Sequence, residues 1–499
     1  MMQGSRASLW LKGGVVFAVM AVGVFLGGLL ALQPLLVVPF LFPVAGAALL
    51  WFALRTASGA MGKVARWEVY ALAAFWILVI NLPTFLAFDQ TGFTRDHGLF
   101  NAQSIGRIAL FGCVALAFLV FLHRWGQTRV LDGPPLVPPG GRLVLALYVW
   151  YLLNNFLVAS GTSLLLATFR TLEWGLAVCL MFILFGLQTR RGLTAFEDRL
   201  RLIVPILVFL LASNLIVFPI RPSLIYQVSE VTGIGRFGGL FTHPNLLGVV
   251  AVLLFAYAWV YLSGVKRVVF SAIPLVVLLL TYSRGGYASF LIVCVGGGFV
   301  LLRHFGLKVV LILSAMSAAV ALFYFPEVVE HVQRALSRGN ERTGLTSLSE
   351  RTAVWEAAKI MFLQSPWLGE GFISGPKRLG EVMLQFRLST NFAAPHAHNE
   401  LLQAQLSGGL VASALSLAVH LRVLYLLLKL KLLPTARFFG LSILTVVLVW
   451  GGLAPSLSYF LSLPGVLLIW LLLTLEGVPG RNISTRCADG TVVQEGACG

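Results

Sequence analysis

Charged side chains are scarce in this chain: 11% of its 499 residues are Asp, Glu, Lys or Arg, and only 19 of those are acidic. A soluble globule needs roughly a quarter of its residues charged, so that class is excluded. Cysteine is scarcer still, at 5. Cys113, Cys179 and Cys294 stand in apolar runs, where a small buried hydrophobe is expected; Cys487 and Cys498 are not spaced as a metal clip. No disulfide framework and no metal site are read. Also missing are Asp-x-Asp, a P-loop and His-Glu-x-x-His, which removes support for a metal-held nucleotide or a zinc hydrolase.

What is there is apolar, at 58% of the chain. Runs long enough to span a bilayer occur near 13–33, 35–54, 69–88, 105–122, 142–159, 163–187, 201–219 and 244–262. Six more follow near 267–281, 286–303, 308–325, 400–428, 437–453 and 457–476. Some fall short of the ~20 residues of a typical span, so the expectation is an all-α polytopic membrane protein of about 12–14 transmembrane helices. The first run follows Arg6 and Lys12 with no clear cleavage site and is read as a retained span. The formal charge of +17 sorts onto one side of the expected topology. Arg55/Lys63/Arg66, Arg124/Arg129/Arg142, Arg190/Arg191/Arg199/Arg201, Lys266/Arg267, Arg303/Lys308 and Lys429/Lys431/Arg437 all fall there, making it cytoplasmic. The charge is therefore loop bias, and no nucleic-acid partner is read. The tail carrying the Asn482-Ile483-Ser484 sequon lies on the same side, where that match is chance.

The polar segments of interest all face the other way. The longest, 326–399, is punctuated as a folded cap. Pro326 opens a helix through Glu327–Ser337, and Ser347-Leu348-Ser349-Glu350 is a capping box for a second. Val354, Ala358, Met361 and Phe362 give that second helix an apolar stripe. Ser365-Pro366 stops it, Gly369-Glu370-Gly371 turns, and a third helix spans Arg378–Arg387. The stripe, with Trp355 and Trp367, is suited to touch lipid. The division expected is thus 1–325 membrane helices, 326–399 cap, 400–480 C-terminal membrane helices and 481–499 cytoplasmic tail.

Two sets of residues stand out on the outer side. Pro395-His396-Ala397-His398-Asn399-Glu400 gathers two imidazoles, an amide and a carboxylate where the cap meets a long apolar helix. Asn399 suits the N-cap and Glu400 the first turn. Histidine at that positive helix end is biased towards the neutral imidazole, which accepts a proton. The bland alternative is a helix cap at the membrane surface. The second set is arginine. Arg236 and Arg284 are each flanked by glycines, which let backbone N–H groups approach a ligand, while guanidinium forks match phosphate oxygens. Two such sites on one face point to a diphosphate. Arg170 has Glu173 at i+3, a ready structural ion-pair partner, and Arg221 reads as a surface anchor.

This arrangement resembles the O-antigen ligase and Wzy-type polysaccharide polymerase superfamily. The matching pieces, in order, are Arg236 with Phe241–Asn245, Ser283-Arg284-Gly285-Gly286, Arg351 with Trp355, Pro366 with Gly369 and Gly371, and His398-Asn399 with Gly409. They cover roughly 230–410. The resemblance implies a cofactor-free, metal-independent glycosyltransferase of the bacterial inner membrane with its site facing the periplasm. Its donor would be a glycan on undecaprenyl diphosphate; its acceptor, lipid A–core oligosaccharide or a growing glycan. It implies Arg236, Arg284 and Arg170 on the diphosphate and His398 activating the acceptor. A second histidine, His396, leaves the base assignment open, with Asn399 and Glu400 in support. Ligase is favoured over repeat-unit polymerase, and the rival from another class is a solute transporter, for which Arg170–Glu173 is the only intramembrane pair.

Overall fold

The computed structural model describes residues 137–158, 161–190, 204–219, 222–228, 235–238, 244–301, 351–372, 374–386, 397–452, 457–458, 463–478, 485–486 and 492–493, with Leu119, His123 and Phe196 singly. Within these the protein is almost wholly helical. The spans expected before residue 137 and at 308–325, the helix expected at 327–337 and the capping box at 347–350 lie outside the described residues.

The helices, in chain order, are α1 (Pro139–Val158), α2 (Gly161–Arg190), α3 (Val204–Val217), α4 (Pro222–Ile225), α5 (Pro244–Tyr261), α6 (Gly264–Thr281) and α7 (Arg284–Leu301). After them come α8 (Arg351–Gln364), α9 (Ser374–Gln385), α10 (Glu400–Lys429), α11 (Pro434–Gly451) and α12 (Leu463–Glu476). Pro139, Pro222, Pro244 and Pro434 each stand first in a helix, where a missing N–H costs nothing and φ is already set. Five of these helices, α1, α5, α6, α10 and α11, are long and apolar enough to cross a membrane, and α7 and α12 are shorter apolar helices. This is a multi-pass α-helical membrane protein. In hydrocarbon only a helix of this kind, or a closed barrel, satisfies its backbone.

The bundle has an inside and a lipid side. Nearly every side chain of α12 is buried, as is one whole side of α5. On α6, by contrast, Ser271, Pro274, Val277, Leu278 and Thr281 form one buried stripe. Val265, Val268, Ile273 and Val276 on its other side are exposed, so α6 is an edge helix against lipid. α5 packs on α3, α6, α7 and α11; α12 packs on α1, α2, α10 and α11. Glu476 at the end of α12 accepts from Arg422 Nε (2.7 Å) and from the Gly140 amide (3.1 Å), locking α1, α10 and α12 together at one end.

At the opposite end two smaller units are attached. A two-stranded antiparallel ribbon, β1 (Tyr226–Val228) and β2 (Gly235–Phe237), pairs Gln227 with Arg236. A second short ribbon, β3 (Thr485–Arg486) with β4 (Val492–Val493), lies in the tail. The other unit at the site end is the cap pair α8 and α9. The expected stripe is there: Val354, Ala358 and Met361 are buried, with Ala357, against Leu379, Val382 and Met383 of α9. Each large side chain so buried contributes about 1.5–3 kcal/mol. Ala397 and Leu406 complete the cluster and tie the cap to α10.

In one respect the structure departs from the pattern of apolar runs. The run 400–428, expected as one span, breaks at Gly408 (φ −159°, ψ 21°) and Gly409 (φ 66°, ψ −160°). Ser413 Oγ donates to Leu401 O (3.2 Å) and Ser416 Oγ to Glu400 Oε1 (2.9 Å). In a continuous helix residues 12 and 16 apart would lie about 18 and 24 Å apart along the axis. The chain therefore reverses: a two-turn arm, 400–407, folds back alongside the long arm, 410–429. The groups freed by the break are satisfied from outside. Leu410 N donates to Pro366 O (2.9 Å), and Leu406 O accepts from Glu370 N (2.8 Å). Ser407 O accepts from Asn154 Nδ2 (3.0 Å) and Gly408 O from Trp150 Nε1 (2.7 Å). The hairpin thus clamps the turn after α8 onto α1, and only glycine fits its apex.

Candidate functional site

Arg236 is set by strand alternation. Phe237 points into the protein, fully buried with its ring 5.3 Å from Phe218, so Arg236 faces the other way, over the end of α6. There its Nε donates to Thr281 O (3.1 Å), and one terminal nitrogen, Nη2, donates to Asn245 Oδ1 (2.7 Å) and Tyr282 O (3.4 Å). The other, Nη1, takes no acceptor among the described residues. Burial pushes the guanidinium down to about 10; the neighbouring Tyr287 phenol opposes that shift and the Arg284 cation adds to it. The structure thus places the two arginines within electrostatic range of each other, with Arg236 Nη2 bonded two residues before Arg284.

Arg284 opens α7 after a two-residue turn. Tyr282 adopts the left-handed conformation (φ 48°) and Ser283 Oγ accepts from Gly286 N (3.0 Å), so the turn is locked by its own residues. A Cβ on Gly286 would lie 2.7 Å from Leu278 and 3.2 Å from Ser283, so this glycine is demanded by packing. The Nε of Arg284 is buried without a hydrogen-bond partner among the described residues. Two neighbouring cations, one with a buried donor unmet, are chemically suited to an anion with several oxygens.

The histidine loop lies at the same end of the bundle. Asn399 caps α10, its Oδ1 accepting from Leu401 N (3.0 Å) and Leu402 N (3.1 Å), as its residue type predicts. His398 is half-buried with φ 51°. Tyr282 and His398 are the two non-glycine residues with positive φ among those described, and each sits within the candidate site. Such conformations cost of order 1–3 kcal/mol and persist where the surroundings enforce them. Ala397 N donates to Gln403 Oε1 (2.8 Å), and Ala397 O accepts from Trp355 Nε1 (3.1 Å). Trp355, expected with Trp367 to touch lipid, is half-buried against the cap core and holds the loop by its indole N–H, whereas Trp367 is exposed.

Glu400 is not the solvated first-turn acid that dipole arguments call for. It is 4% exposed; Oε1 accepts from the Ser416 and Ser458 hydroxyls and Oε2 from Leu457 N (3.0 Å). Ser458, Gln403 and Ser416 were not singled out in the sequence, where nothing marks them except their polarity amid apolar neighbours. Arg170 lies half-buried within α2, and no described contact joins it to Arg236 or Arg284. The side chain of Glu173, and all of Arg221 and His396, lie outside the described residues. No described contact links His398 to the arginines either. What connects them is α11, which packs on α5 and α7 and leads into Leu457 and Ser458.

Fold and site together define a class: a polytopic helical membrane protein with a paired-arginine site and a capped histidine loop at one end. Residues 268–417 match the family model described as O-antigen ligase. The O-antigen ligase of Escherichia coli (strain K12) is 26% identical over 268 residues, covering 50% of this chain and 60% of that protein. The resemblance to the O-antigen ligase and Wzy-type superfamily is thereby borne out. The matched stretch contains Arg284, His398, Asn399, Glu400 and Gly409, and leaves Arg236 and Arg170 before it.

Proposed function

We propose that the protein is an inner-membrane glycosyltransferase of the O-antigen ligase type, working at the periplasmic face on a glycan carried by undecaprenyl diphosphate. The observation that carries this reading is the arginine pair. The Arg284 cation disfavours charge on Arg236, which also bonds Tyr282 O two residues before Arg284, and the unmet Arg284 Nε adds a desolvation cost; a diphosphate relieves both. A donor already activated as a diphosphate needs no metal to supply a leaving group.

His398 is the base in this reading. The acceptor hydroxyl attacks the anomeric carbon from the face opposite the diphosphate, the bond from that carbon to the phosphate oxygen breaks, and its electron pair leaves with the diphosphate. Arg236 and Arg284 stabilise the charge that develops there. The hydroxyl proton passes to the His398 imidazole, and the product is inverted at the anomeric carbon. Arg170 joins the donor site only if substrate or motion brings it to the pair. The acceptor we favour is lipid A–core oligosaccharide.

A deletion strain's surface glycans test the assignment. Loss of all long chains from lipid A–core, with lipid-linked glycan accumulating, is the outcome expected of a ligase. Cores capped by single repeats would make it a polymerase, and a normal glycan profile would return the solute-transporter reading.

A further inference from the structure

The buried polar groups below His398 are connected in a ring. From Ala397 N the hydrogen bonds run to Gln403 Oε1 (2.8 Å), from Gln403 Nε2 to Ser407 Oγ (3.1 Å), and from Ser407 Oγ to Ser458 O (3.0 Å). Ser458 Oγ then donates to Glu400 Oε1, three residues from the start. Gln403, Ser407 and Ser458 are fully buried, and Glu400 nearly so. His398 and Asn399 are the two residues of the chain segment the ring encloses.

A buried carboxylate costs several kcal/mol unless its lone pairs are met, whereas a helix start gains only about 0.3–1 kcal/mol from a carboxylate and gets it equally from a solvated one. The position of Glu400 therefore calls for an explanation other than capping. Donors reach it from the long arm of α10 (Ser416) and from the loop before α12 (Leu457, Ser458). The Tyr151 ring is fully buried, and its hydroxyl lies beside Ser458 and the carboxylate without completing a hydrogen bond. A residue held at φ 51° does not keep that conformation alone; the fixed carbonyl and amide of Ala397 on one side and the Glu400 anchor on the other enforce it.

We infer that Glu400, with Ser458 and Gln403, is a positioning residue that fixes the His398 imidazole for proton transfer. The inference rests on the reading of His398 as the base. Glu400 touches no substrate in this account: its oxygens are engaged by Ser416, Ser458 and Leu457, on the interior side of the loop. Glutamine at 400 keeps the size but presents a donor to groups that are themselves donors, so the ring opens and His398 is released. Misplacement of a catalytic group by an ångström costs about 10²-fold.

The test is a set of double variants measured with full-length protein and purified lipid-linked glycan. Glu400→Gln and Gln403→Leu are expected to lower turnover roughly 10- to 100-fold, Ser458→Ala somewhat less, with the donor KM within about two-fold of wild type. In a His398→Ala background the same changes should lower the residual rate no further, because a positioning residue acts only through the group it positions. Ser458→Ala removes a single hydroxyl and keeps the test open should Glu400→Gln fail to fold. A Glu400→Gln or Ser458→Ala protein with full turnover would overturn the inference while leaving the base reading intact. So would an equal further loss in the His398→Ala background, which marks a general structural role. If His398→Ala itself turns over normally, the base reading falls and the inference with it.

Discussion

At the scale of single residues, the chemistry is concentrated in side chains held under strain or repulsion. Arg236 is the clearest case, because burial and the Arg284 cation both push its pKa down, to about 10. The sign matters. A buried cation with a lowered pKa costs folding free energy at every pH below about 10, and that cost is lifted above it. Donor affinity lost at alkaline pH would then reflect discharge of Arg236, not unfolding. Donor binding by wild type should accordingly be flat from about pH 6 to 9 with respect to this group and weaken near 10. Arg236→Lys should bind several-fold more weakly, having lost the fork. Its alkaline limit should fall roughly two units lower, the difference between the intrinsic pKa values. Isothermal titration or a binding assay with lipid-linked glycan across pH checks both. Arg236 and Arg284 were legible in the sequence because glycines flank them on a polar outer segment. Asn245 and Tyr287 as their neighbours were not, since pairing across a ribbon and two helix ends depends on the fold. The left-handed turn at His398 was also hidden: histidine, unlike glycine, does not advertise positive φ.

At the scale of elements, the reversal in α10 shows where a hydropathy reading stops. The run is apolar throughout, so length alone makes it one span; the Gly408–Gly409 pair was the available signal that it bends. Apolar periodicity had no such difficulty with α8, whose buried stripe follows Val354, Ala358 and Met361 directly from the 3.6-residue repeat. The hairpin gives a prediction about stability. A Cβ on Gly409 would lie 1.9 Å from Trp367 O, with the backbone in a region open only to glycine. Gly409→Ala should therefore cost about 3 kcal/mol or more and separate the arms. Gly264, at φ 56° but with nothing within 4 Å of its Cβ position, should lose only about 1 kcal/mol on the same change. Thermal unfolding of the two variants in detergent, monitored by tryptophan fluorescence, makes the comparison directly.

At the scale of the whole molecule, the account needs the arginine pair, the histidine loop and the cap to share one aqueous face. In the proposed topology, read from the alternation of Lys and Arg along the chain, that face is the periplasmic one. Single cysteines at Thr346 and Gly380, after removal of the native ones, should react with an impermeant thiol reagent in intact spheroplasts, and one at Thr189 should not. Labelling of the third site with protection of the first two would invert the topology.

The central claim is a division of labour: the arginines hold the donor diphosphate and His398 moves the proton. It is tested most directly by measuring donor binding and single-turnover transfer side by side for wild type, His398→Ala, Arg236→Ala and Arg284→Ala. The account predicts that His398→Ala binds donor as wild type does while transferring roughly 10²–10⁴-fold more slowly, and that both arginine variants lose binding. Normal transfer by His398→Ala, or undiminished donor binding by both arginine variants, would contradict it.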